Sequence, residues 1–107
     1  MSKVTWKRND TRTAVKATLI GDDGSPVDLA GASVRFLVTD FRGTSIIARQ
    51  VDIVSAVEGK VLFVPEAPET GQAGTYRGEF EATFDDGRLE TYPNDGYISI
   101  EILPDLG

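Results

Sequence analysis

Polar and apolar residues alternate along the chain in short runs, each ended by glycine, proline or aspartate. No window repeats its apolar positions at the three-and-four spacing of an amphipathic helix, so the pattern predicts an all-β protein. In "AVKATLIG", Val15, Ala17 and Leu19 alternate with Lys16 and Thr18, and the run stops at "DDGSP", whose Asp-Gly step and proline suit a tight reversal. Val27 and Leu29 plug one end of a core before Val34, Phe36 and Val38 point one way from Arg35 and Thr39, with Leu37 an apolar exception on the outer side. "FRGTS" reads as a turn, "IIARQVDIV" as one strand, "VEGK" as another turn and "VLFV" as a short buried strand cut off by Pro65.

The stretch "PEAPETGQAG" has no alternation and reads as a linker crossing from one sheet to the other. After it, "TYRGEFEATF" puts Tyr76, Gly78, Phe80, Ala82 and Phe84 on one face and Arg77, Glu79, Glu81 and Thr83 on the other. "DDG" turns the chain into "RLETY", and "PNDG" leads to "YISIEIL", with Ile98, Ile100 and Ile102 inward. About seven to eight short strands over a chain near ~100 residues predict an immunoglobulin-like antiparallel β-sandwich. Residues 13–107 form that domain in this reading, and residues 1–12 form a basic N-terminal arm. Tyr76 stands two residues before the place where immunoglobulin domains put their second cysteine, which makes it a tyrosine-corner candidate or else an ordinary half-buried strand aromatic. Gly78 occupies the cysteine's place, so packing alone must hold the core.

Composition narrows the uses of such a sandwich. The chain has 107 residues, 40% of them hydrophobic and 26% charged, which suits one globular domain with a single core. No run approaches the ~20 apolar residues of a membrane span, and "MSKVTWKRND" lacks the apolar segment of a signal peptide, so a soluble protein made in the cytoplasm is expected. The formal charge is −6, yet residues 1–16 carry Lys3, Lys7, Arg8, Arg12 and Lys16 against Asp10 alone. An acidic body disfavours nucleic acid as the main partner. The basic arm suits an acidic neighbour, another copy included, and residues 3–8 have the alternation to add a strand to a neighbour's sheet.

Catalysis finds little support. Histidine and cysteine are both absent, which removes the common proton carrier at neutral pH and the strongest nucleophile. A serine–lysine pair is formally available, but no spacing marks one. The 17 acidic residues fall mainly on turns and outward strand positions rather than in a cleft. The window from Phe84 to Ile102 gathers Asp85, Asp86, Glu90 and Asp95, without the residue order of a calcium loop, and reads as Asp-Gly turns. Catalytic, cofactor and metal residues are therefore none. The candidates for contact with a partner are Trp6, Lys7, Arg8, Tyr92, Asn94, Asp95 and Tyr97. Trp6 has two readings, a core residue beneath the first strand or an exposed anchor.

Two long stretches carry a resemblance. "KRNDTRTAVKATLIGDDGSPVDLAGASVRFLVTD" followed by "AGTYRGEFEATFDDGRLETYPNDGYISIEI" resembles the N-terminal immunoglobulin-like domain of the phage baseplate upper protein family and related tail modules. The shared features are the polar-basic start, the Asp-Gly-x-Pro-Val-Asp-Leu-x-Gly step, the Val-x-Phe strand, and Gly-Thr-Tyr-x-x-Glu-Phe leading to Pro-Asn-Asp-Gly-Tyr. Residues 41–70 match only as a hairpin and a linker. The resemblance implies a non-enzymatic virion component of tail, baseplate or adaptor type, packed against other virion proteins and its own copies, without nucleic acid or membrane. A capsid-decoration role is the alternative, and a small carbohydrate-binding or adhesion module meeting a host-surface glycan is the alternative of another class.

Overall fold

In the computed structural model, which describes residues 3–106, the alternating runs form nine strands: β1 (Lys3–Lys7), β2 (Val15–Thr18), β3 (Ser33–Thr39), β4 (Ser45–Gln50), β5 (Asp52–Ser55), β6 (Lys60–Phe63), β7 (Gly74–Thr83), β8 (Leu89–Tyr92) and β9 (Ile98–Leu103). A six-stranded sheet in the order β1-β9-β7-β3-β4, with β8 also on β7, faces a three-stranded sheet in the order β2-β6-β5. The result is an all-β sandwich of the immunoglobulin-like kind. Among the described residues no helix is long and apolar enough to cross a membrane.

Each strand buries one parity of residue. Val34, Phe36 and Val38 of β3, Tyr76, Phe80 and Ala82 of β7, and Ile98, Ile100 and Ile102 of β9 all lie in the core. From the other sheet come Val15, Val61 and Phe63, and Leu29 caps one end. Phe36 is central, with ring centroids 4.6 Å from Phe80 and 4.8 Å from Phe63. The room for that ring comes from Gly78, which carries no side chain at the position facing it.

Three features differ from the sequence reading. Lys3–Lys7 is not an arm outside the sandwich: it is a strand of the large sheet, parallel to β9, with Trp6 opposite Ile102. Its alternation serves its own domain, with Trp6 buried in the core and Val4 packed against it. Met1 and Ser2 of the expected arm lie outside the described residues. "IIARQVDIV" is two strands, because Val51 turns into the core and its N–H bonds Val34 O at 2.9 Å, so Gln50 pairs in one sheet and Asp52 in the other. The linker after β6 contains a 3-10 turn, Ala67–Thr70, anchored where the buried Thr70 hydroxyl donates to Asp10 O at 2.9 Å.

Candidate protein-contact surface

β8 and β9 lie along the same edge of β7. Between the pairs Phe80–Tyr92 and Gly78–Ile98, two steps along β7 are matched by six on the opposite chain, so four residues are looped out of what is otherwise one strand. Asp95 and Gly96 turn this loop, with Gly96 at φ 78°, a conformation glycine adopts without strain. The loop sends its two ends to opposite sides of the sheet.

Tyr92, a candidate in the sequence for contact with a partner, is only 2% exposed and belongs to the core. It occupies an inward position of β8, level with Phe80. Its hydroxyl donates to Glu90 Oε1 at 2.8 Å, and Asn94 Nδ2 donates to Glu90 Oε2 at 3.0 Å and to Thr91 O at 3.1 Å. Burial, then the hydrogen bond and charge of Glu90, then the charge of Asp22, hold the Tyr92 hydroxyl well above the usual tyrosine range. Asn94 and Asp95 stay exposed on the rim between the two sheets.

Tyr97 emerges on the outer face of the large sheet, beside Arg77 of β7. The Arg77 guanidinium carbon lies 4.8 Å from the Phe41 ring centroid and 5.8 Å from that of Tyr97. Phe41 is 56% exposed and Tyr97 37% exposed. Arg77 Nη2 reaches Asp40 O only at 3.5 Å, and its buried Nε has no hydrogen-bond partner among the described residues. A shallow depression bounded by Leu37, Thr39, Glu79 and Tyr97 adjoins the cation. An arginine held between two exposed aromatics is the composition enriched where protein surfaces bind tightly. Alternation had placed Arg77 in water but gave no sign of Phe41 beside it. The Thr39–Arg77 pairing brings them together, and that pairing is not local.

The remaining candidates are dispersed. Trp6 is 1% exposed, packs on Phe63 at 6.4 Å between ring centroids, and donates from Nε1 to Thr13 O at 2.8 Å, so it is a core residue and offers nothing to a partner. Lys7 is exposed at the end of β1. Arg8 is engaged within the chain, with its N–H on Leu103 O at 2.7 Å and Nη2 on Asp105 Oδ1 at 2.8 Å. Tyr76 Oη donates to Gln72 O at 2.7 Å, four residues upstream. Burial, followed by the Asp40 charge, pushes the Tyr76 hydroxyl upward.

The turn carboxylates are occupied with backbone. Asp23 Oδ1 accepts from Ser25 N at 2.9 Å, Asp40 Oδ1 from Arg42 N and Thr44 N at 2.9 Å each, and Asp86 Oδ1 from Arg88 N at 3.0 Å. Among the described residues no three carboxylates converge to hold a metal ion. Among the charged pairs that the sequence did not reveal is that of Arg49 with Glu69. Arg49 donates to both oxygens of Glu69, at 2.7 and 2.8 Å, and to Val64 O at 2.6 Å, while its guanidinium covers the Phe63 ring at 4.4 Å. This fork fastens β4 to the 3-10 turn across an end of the sandwich.

No family model matches the chain, and no curated protein matches it. Among solved structures, the N-terminal domain of phage TP901-1 ORF48 is similar, with a TM-score of 0.65 and 15% identity over 97% of this chain and 85% of that one. CopC from Methylosinus trichosporium OB3b is similar at a TM-score of 0.55 and 18% identity, over 100% of this chain and 89% of that one. At these identities the likeness is one of fold, and both comparisons take in nearly the whole sandwich.

Proposed function

We propose that this chain is a non-enzymatic structural component of a tailed bacteriophage virion, of tail, baseplate or adaptor type, acting by protein–protein assembly with other virion proteins and with its own copies. The observation that carries this reading is the whole-length likeness to the N-terminal domain of phage TP901-1 ORF48. Sequence motifs spread over nearly the same length resemble phage tail modules, which supports the reading by a second route. The Phe41–Arg77–Tyr97 cluster supplies an exposed surface suited to a protein partner. A sugar platform is less favoured, because Tyr92 and Trp6, two of the aromatics available to it, are buried.

Mass spectrometry of purified particles, followed by electron microscopy of particles carrying a labelled copy, tests the proposal. We expect the chain in particles at a fixed stoichiometry with the label on the tail. Label on the head selects the capsid-decoration role. Absence from purified particles, with the chain abundant in infected cells, overturns the reading.

A further inference from the structure

The two flanks of the sandwich are not alike. On one, β4 runs into β5 through buried Val51, so the chain itself bridges the sheets, and the β3–β4 and β5–β6 registers are each broken by a shift. On the other, among the described residues, β1 pairs only with β9 and β2 only with β6, and both registers run unbroken. Bulges are how proteins blunt exposed edges, so the regular pair is the one left open to another strand.

A groove follows this open flank. One half lies between Val4 and Lys16, the other between Leu19 and Tyr92, and Ala17 and Ile98 line both. The bond from Trp6 Nε1 to Thr13 O ties together the chain at one end. Leu19 N–H bonds Gly59 O at 2.8 Å, in register with the β2–β6 ladder, so residues of its parity point their backbone groups at β6. By the alternation of antiparallel pairing, the N–H and C=O of Lys16 and Thr18 face the groove. Ala17, the small residue between them, leaves the apolar floor accessible.

We propose that this flank takes up one extended segment of a partner polypeptide as an added strand on β2. Main-chain bonds to Lys16 and Thr18 supply the affinity, and alternate side chains of the segment enter the groove toward Ala17 and Ile98. Lys16 borders one half of the groove, beside Lys3 whose Nζ lies 3.5 Å from Glu101 Oε1, and Asp95 borders the other half, so the segment carries a carboxylate where it passes Lys16. The proposal rests on the assembly reading for its partner, a neighbouring protein of the particle.

Amide hydrogen exchange on purified particles and on the isolated chain tests it. In particles, exchange at Lys16 and Thr18 slows by about tenfold or more, while amides on the β5 edge keep their isolated-chain rates. Thr18→Pro removes an N–H that the sheet itself does not use, and Lys16→Glu reverses the charge. Both variants keep the isolated chain's melting behaviour and fall about tenfold in incorporation. If wild-type chain is in particles with these amides unprotected, or both folded variants incorporate normally, the added strand is wrong. Wild-type chain missing from particles defeats the assembly reading, and this partner with it. Concentration-dependent protection of the same amides in the isolated chain makes the occupant a second copy and overturns the partner assigned here.

Discussion

Ile100, paired with Tyr76 in the β7–β9 ladder, reaches diagonally over Gly78 so closely that a Cβ on Gly78 would stand 2.7 Å from Ile100 Cδ1. Phe36 Cζ would lie 3.2 Å from the same atom. We expect Gly78→Ala to destabilise the fold by roughly 1–3 kcal/mol, the usual cost of overfilling a packed core. Ile100→Val deletes Cδ1, so the double variant recovers part of the loss, read as a positive coupling in a double-mutant cycle of thermal or denaturant melts.

The Arg49–Glu69 fork predicts an acid dependence. Burial acts to raise the Glu69 carboxyl, but the Arg49 hydrogen bond, the Glu66 N–H and the Arg49 charge outweigh it, leaving the group below the ordinary carboxylate range. A carboxylate lowered by folding contributes stability that is present above its unfolded value, ~4.3, and is lost as pH falls through the folded value. The melting temperature of wild type therefore exceeds that of Glu69→Gln near neutrality, and the gap closes below about pH 4. A gap independent of pH contradicts this.

At the alkaline limit the sign reverses. Folding raises the Tyr92 hydroxyl, chiefly by burial, so its contribution is intact below the unfolded value of about 10 and is lost as pH rises above it. Phenolate absorbance should show Tyr92 resisting ionisation until the protein unfolds. Tyr92→Phe should soften the alkaline fall in stability while costing about 0.5–1.5 kcal/mol at neutral pH for the lost hydrogen bond to Glu90.

The aromatic–arginine cluster should separate stability from assembly. Phe41→Ala exposes little that was buried, so we expect its melting behaviour to stay within about 1 kcal/mol of wild type. If the cluster is a contact centre, incorporation into particles falls by the equivalent of about 2 kcal/mol or more, as truncations of interface anchors do. Normal incorporation of Phe41→Ala and Arg77→Ala removes this surface from the interface.

The contrast between β9 and β1 shows what local sequence encodes. Alternation in "YISIEIL" assigns Ile98, Ile100 and Ile102 to the core because side-chain direction in a strand depends only on parity. Alternation in "KVTWK" likewise puts Val4 and Trp6 on one side, but it does not say which sheet receives them, and the parallel partner β9 lies over ninety positions away. The division at Val51 was hidden for a related reason. A run that keeps its apolar character while changing sheets looks continuous, and only the pairing of Gln50 with Arg35 and Asp52 with Leu62 reveals the crossing. Turn chemistry was easier to read, since Asp-Gly steps put Gly24, Gly87 and Gly96 at positive φ. Phe41, Arg77 and Tyr97 meet only through tertiary pairing, and so the cluster had no signature along the chain.

The segment between β8 and β9 has a further consequence. Each of its neighbours takes its register from a separate stretch of β7, Phe80–Thr83 for β8 and Gly74–Gly78 for β9, so neither ladder measures the length of what lies between them. Residues added or exchanged near Asn94 and Asp95 re-register nothing on either side. The domain thus has a built-in point of variation, where an outer surface can be remodelled while the sandwich beneath stays the same.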